Sequence, residues 1–84
     1  MKNEILISNL DKLHTTELGV YRIKRNFNIN VDNVVSWCKR KIRNQNSYIY
    51  KKGKNWYVEI DNAKITINSY SYTIITAHKI NKKN

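Results

Sequence analysis

"SYIYKKGKNWYVEIDNAKITIN", Ser47 to Asn68, is the stretch whose reading decides the fold. Within it Trp56, Val58 and Ile60 alternate with Tyr57 and Glu59, and Ile65 and Ile67 alternate with Thr66 and Asn68. Successive side chains of a strand point to opposite faces, so this period of two makes one sheet face apolar and the other polar. The interruptions carry turn chemistry: "KKGK", where Gly53 supplies a positive φ, and "DNA". "SYIY", "NWYVEI", "KITIN" and, after a turn around "SYS", "YTIITAHK" read as four antiparallel strands in a meander. The last strand admits two registers. Either Thr73, Ile75 and Ala77 face the core, or Ile74 and Thr76 do. The first is preferred, because it leaves Tyr72, Thr76 and His78 on the open face with Tyr57, Glu59 and Thr66.

Upstream the period is helical. Leu6, Leu10 and Leu13 recur at helical spacing and suggest a short amphipathic helix. In "HTTE", Thr15 or Thr16 is the N-cap of a helix running from about Thr16 to Asn26 with Val20, Ile23 and Phe27 as its apolar stripe. Asn30 or Asp32 caps a further helix, in which Val31, Val34, Val35, Cys38 and Ile42 form the stripe and Lys39, Arg40 and Arg43 the opposite face. Helices first and strands afterwards indicate an α+β domain. Two or three N-terminal helices, residues 3–43, pack on one face of a four-stranded antiparallel meander, residues 47–79, with a polar tail over 80–84.

A chain of 84 residues is one domain, since two smaller pieces would bury too little apolar surface to offset backbone entropy. Sixteen Lys and Arg against six Asp and Glu give a formal net charge of +10. Charge this dense attracts polyanions, and RNA is expected ahead of DNA, with a protein such as an antitoxin or a nucleoprotein complex as the other class of partner. Part of the lysine excess also fits a genome rich in Asn, Ile and Lys codons. The single cysteine, Cys38, excludes an internal disulfide and any cysteine-based zinc site, and it lies on an apolar helical stripe. "MKNEILISNL" is neither a signal peptide nor a membrane span, so a cytoplasmic setting without a membrane partner is the expectation.

The open face gathers groups suited to RNA cleavage by internal transesterification. The unperturbed pKa of a histidine lies close to neutrality, so His78 can act as acid or base, with Glu59 or His14 as its complement and Thr76 beside it. Lys54, Arg22 or Arg25 can bind phosphate, Lys39, Arg40 and Arg43 can track a phosphate backbone, and Tyr57 or Tyr72 can stack on a base or position a phosphate. No metal or other cofactor is required. Each residue also has a plainer role. A histidine at a strand end is more often solvated, His14 before a helix cap more often bonds backbone, and "KRKIR" is most often a solvated helix face.

At "LHTTELGVYRIKRN", "DNVVSWCKRKI", "KGKNWYVEIDN" and "SYTIITAHK" the chain resembles a family of short uncharacterised bacterial proteins known as a domain of unknown function. That resemblance spans nearly the whole sequence and implies a fold without a chemistry. More distantly, a histidine ahead of an Arg-containing helix, a helix with paired valines and a "TIITAH" final strand look like the barnase, EndoU, colicin and RelE group of metal-independent ribonucleases, many of them toxins. His14, Arg22, Thr76 and His78 are the positions that match. The likeness implies a small toxin-type ribonuclease. The alternative is a non-enzymatic nucleic-acid-binding or inhibitor protein, phage or mobile-element encoded, that uses the same basic surface.

Overall fold

In the computed structural model, residues 3–80 are described. Residues 1–2 and most of the polar tail, residues 81–84, lie outside them. The elements run α1 (Asn3–Ser8), a 3-10 turn (Leu10–Lys12), α2 (Glu17–Phe27), α3 (Val34–Arg43), β1 (Tyr48–Lys52), β2 (Asn55–Ile60), β3 (Ala63–Asn68) and β4 (Ile74–Lys79). The sheet order is β1-β2-β3-β4, every neighbour antiparallel. This is the expected α+β arrangement, with the helices N-terminal to a four-stranded meander.

Local chemistry explains where each element begins and ends. The leucine-spaced N-terminal segment is not one helix. Asn9 turns its amide back onto Ile5 O at 2.7 Å, competing with the backbone ladder, and the chain resumes as a 3-10 turn. Leu6, Leu10 and Leu13 are nonetheless all buried. Thr16 caps α2 by accepting from Gly19 N–H at 3.0 Å, and Asn28 ends that helix in the left-handed region, with φ 53°. The cap of α3 is Asn33, which accepts from Ser36 N–H at 3.0 Å, rather than Asn30 or Asp32. Val31 therefore precedes the helix and packs half-buried against the core. Asp61 and Asn62 both take positive φ, the signature of a two-residue type I′ hairpin.

One core joins the layers. Leu6, Leu10, Leu13, Ile23, Val34, Cys38 and Ile42 from the helical side meet Trp56, Val58, Ile65, Ile67, Ile74 and Ala77 from the sheet. Each fully buried Leu or Ile contributes about 1.5–3 kcal/mol relative to exposure.

Strand β4 adopts neither of the two expected registers. Thr66 pairs with Thr76 but Ile67 pairs with Ile74, so Ile75 is an inserted residue. The bulge lets Ile74 and Ala77 both face the core while Thr76 and His78 face outward, and Ile75 is exposed. The outer edge of β4 is covered. His14 bridges Thr73 in parallel, Ile74 N–H donates to His14 O at 2.8 Å, Thr15 Oγ1 donates to Ile74 O at 3.0 Å, and Asn26 of α2 donates to Ala77 O at 2.9 Å.

Candidate nucleic-acid interface

Cross-strand register sorts the open face into rows. Tyr48, Glu59, Lys64 and His78 form one, and Tyr50, Tyr57, Thr66 and Thr76 the next. Lys52, Asn55 and Asn68 form another toward the β1–β2 turn. Tyr48 and Tyr50 have ring centroids 5.2 Å apart, and Tyr50 stacks on Tyr57 at 5.3 Å with 20° between planes. Lys64 Nζ lies 5.3 Å from the Tyr57 centroid. Two hydrogen bonds fix the ladder: Tyr50 OH donates to Glu59 Oε2 at 3.0 Å, and Asn55 Nδ2 donates to Tyr57 OH at 3.4 Å. Beneath the rings Thr66 is buried, whereas Tyr48 is 63% exposed and His78 is exposed. A concavity of about 410 Å³ opens beside Tyr48 and Glu59 at the end of this face.

Glu59, Thr76, Tyr57 and His78 thus share the face that the sequence assigns them. Glu59 and His78 sit in one row with Lys64 between them, their backbones two strand spacings apart, roughly 9–10 Å. Lys54 is not with them. It sits in the β1–β2 turn, beyond Asn55, five residues along the chain from Glu59 and so roughly 16 Å away. Lys39, Arg40 and Arg43 ride on α3, which packs its apolar stripe on the other side of the sheet. On α2, Arg22 lies one turn before Asn26, which bonds the residue next to His78, and Arg25 stacks over Tyr21 at 5.5 Å.

Two assignments are corrected. Tyr72 is not on the open face: its φ of 58° turns the ring to the helical side, where it packs against the core and Lys12 Nζ lies 5.8 Å over it. His14 is far from His78. It bridges Thr73, five residues before His78 and hence roughly 16 Å along the strand, so the two histidines do not form a pair. His14 instead holds the crossing of two chain segments. Its Nδ1 lies 2.9 Å from Lys12 O, which can only accept, so Nδ1 carries a proton, and Nε2 lies 3.0 Å from the Thr73 hydroxyl. Thr73 Oγ1 continues to Ser71 Oγ at 2.7 Å, and Ser71 Oγ donates to Asn68 Oδ1 at 3.2 Å.

The sequence reading missed Tyr48, Tyr50 and Lys64. The signal was the "YIY" alternation of β1, which places both tyrosines on the side of Tyr57 once the two-residue turn at Gly53 fixes the register. Cys38 is fully buried and desolvation pushes its thiol up to about 12, which makes it packing and no nucleophile. Among the described residues no three His, Cys, Asp or Glu side chains gather into a metal-holding group, and no helix is long and apolar enough to cross a membrane.

Three helices backing a four-stranded antiparallel sheet, whose free face carries stacked tyrosines and cations, define a small basic α+β domain with an aromatic surface. Within that class the chain belongs to the family described as "Protein of unknown function (DUF3781)", whose model matches residues 7–78. No curated protein and no solved structure matches it. The distant likeness to the ribonuclease group receives no support from these comparisons.

Proposed function

We propose that the open face of the sheet binds single-stranded RNA. The observation that carries this reading is the ladder of Tyr48, Tyr50 and Tyr57 with Lys64 over its last ring. Each base has a π-face, so a row of rings receives successive bases irrespective of sequence, at about 1–3 kcal/mol per stacked base. Lys64 and Lys52 add charge for the phosphates, and a net charge of +10 raises the local concentration of any polyanion. Thr76, Glu59 and His78, beside the rings, offer hydrogen bonds that a 2′-hydroxyl can use. Tyr57→Ala should weaken binding of a fluorescent single-stranded oligoribonucleotide about ten-fold or more, as read by anisotropy. Unchanged affinity would remove the face from consideration and leave an acidic protein partner as the polyanion.

A second reading, cleavage, is favoured by the row Glu59, Lys64 and His78. In it Glu59 takes the 2′-hydroxyl proton, the 2′-oxygen attacks phosphorus, Lys64 neutralises the phosphorane and His78 protonates the departing 5′-oxygen. The products are a 2′,3′-cyclic phosphate and a free 5′-hydroxyl. Incubation with RNA in excess chelator should yield those ends, and His78→Ala or Glu59→Gln should slow their formation about 100-fold or more. Cleavage that persists in both variants would overturn this reading without touching the binding one.

A further inference from the structure

On the other side of the sheet, where α1 meets the β1–β2 turn and the β3–β4 connection, a cavity of about 400 Å³ is lined by Ile5, Lys51, Gly53, Trp56, Ser69 and Tyr72. We propose that this cavity is a nucleotide site, holding a planar base against the Tyr72 ring and a phosphate at Lys51. It is independent of the open-face reading, since Lys51 and Trp56 are cross-strand partners on the opposite face from Tyr50 and Tyr57.

Three observations converge there. Tyr72 stands in the left-handed region, where a bulky side chain is rare, and such strain persists only where surrounding structure imposes it. Here it is imposed from both sides: Tyr72 N–H donates to Asn68 O at 2.9 Å, His14 N–H donates to Tyr72 O at 3.2 Å, and the relay from His14 through Thr73 and Ser71 ends on Asn68. The ring is therefore held as a wall of the cavity instead of following strand alternation. Lys51 lines the cavity, and Lys12 lies over the Tyr72 ring, so an anion is favoured. At the mouth, a β-carbon on Gly53 would meet nothing within 4 Å, which leaves the entrance open. The volume falls within the range of small-molecule sites, roughly 300–1,000 Å³. An aromatic wall beside an ammonium suits a base bearing a phosphate, as a free nucleotide or as the end of a strand.

The test is amide and indole NMR of the ¹⁵N-labelled full chain, titrated in parallel with AMP, UMP, inorganic phosphate and a short single-stranded oligoribonucleotide. A mononucleotide should move the Gly53 and Ser69 amides and the Trp56 indole N–H saturably while the amides of Tyr57, Lys64 and Thr76 stay in place. Lys51→Gln should weaken this binding about ten-fold. Tyr72→Asn, which keeps the left-handed backbone without the ring, should abolish it in a chain whose spectrum remains folded. Tighter binding of the oligoribonucleotide at the same resonances assigns the site to a strand end. An oligoribonucleotide that moves only the open face assigns it to the free nucleotide. The proposal is overturned if no mononucleotide gives a saturable shift at these three residues, if both variants bind as the parent does, or if inorganic phosphate alone reproduces the shifts.

Discussion

At the scale of single residues, Cys38 has the most definite chemistry in the molecule. It sits fully buried between Val34 and Ile42 on the inward stripe of α3, and burial alone raises its thiol to about 12. The unfolded chain releases that proton near 9, so the folded form binds one more proton across the window between the two values. The thiol's contribution to stability is whole below pH 9 and diminishes as pH rises toward 12. Urea midpoints should therefore fall more steeply across this window for the parent than for Cys38→Val, which titrates with the same lysines and tyrosines but no thiol. A thiol reagent at neutral pH should react only at the rate of unfolding, and fast labelling of the native chain would contradict the burial. Helical periodicity placed this cysteine correctly. It could not place Tyr72, because nothing in "SYSYT" signals that one backbone angle turns positive and sends the ring across the sheet.

At the scale of elements, α2 and β4 are joined through a contact that the sequence does not display. Gly19 is buried, and a β-carbon there would fall on Thr15 Oγ1, the hydroxyl that bonds Ile74 O. Helix propensity favours Ala over Gly by about 1 kcal/mol, yet the overlap costs about 1–3 kcal/mol and breaks the bond to β4 as well. Gly19→Ala should lower the melting temperature by about 4–8 °C for each kcal/mol lost. Thr15→Ala in the same chain should recover the steric part, which a double-mutant cycle measures. An exposed-helix response, with Gly19→Ala stabilising, would refute the contact. Strands β2 and β3 were legible because their alternation is unbroken and their turns carry Gly53 and the Asp61–Asn62 pair. Strand β4 was not, since one inserted residue changes the phase and only its pairing with Thr66 and Ile67 reveals where. For the same reason, the inward set is Ile74 with Ala77, a spacing of three that belongs to no regular strand.

At the scale of the whole molecule, positive charge is spread over opposite sides. Lys39, Arg40 and Arg43 accompany α3, while Lys52 and Lys64 accompany the open face. Affinity for RNA should fall with added salt, and the slope of log K against log salt should flatten by about one on replacing Lys64 but stay unchanged on replacing Arg40 with Gln. Equal flattening by both would mean that the charge acts as a diffuse cloud with no oriented face. Composition announced the excess of positive charge but not its direction, because direction depends on which sheet face the helices leave free and on which strands carry the cations.

The covered edge of β4 also limits how this domain can meet copies of itself. His14, Thr15 and Asn26 already occupy that edge, so among the described residues β1, guarded by Lys51 and Lys52, is the sheet edge that can still accept a strand. A second copy joining there does so edge to like edge about a two-fold axis, and the eight-stranded sheet that results presents only covered edges to a third. Self-association through the sheet ends at two, and growth into fibres is closed off by the same residues that hold the last strand in place.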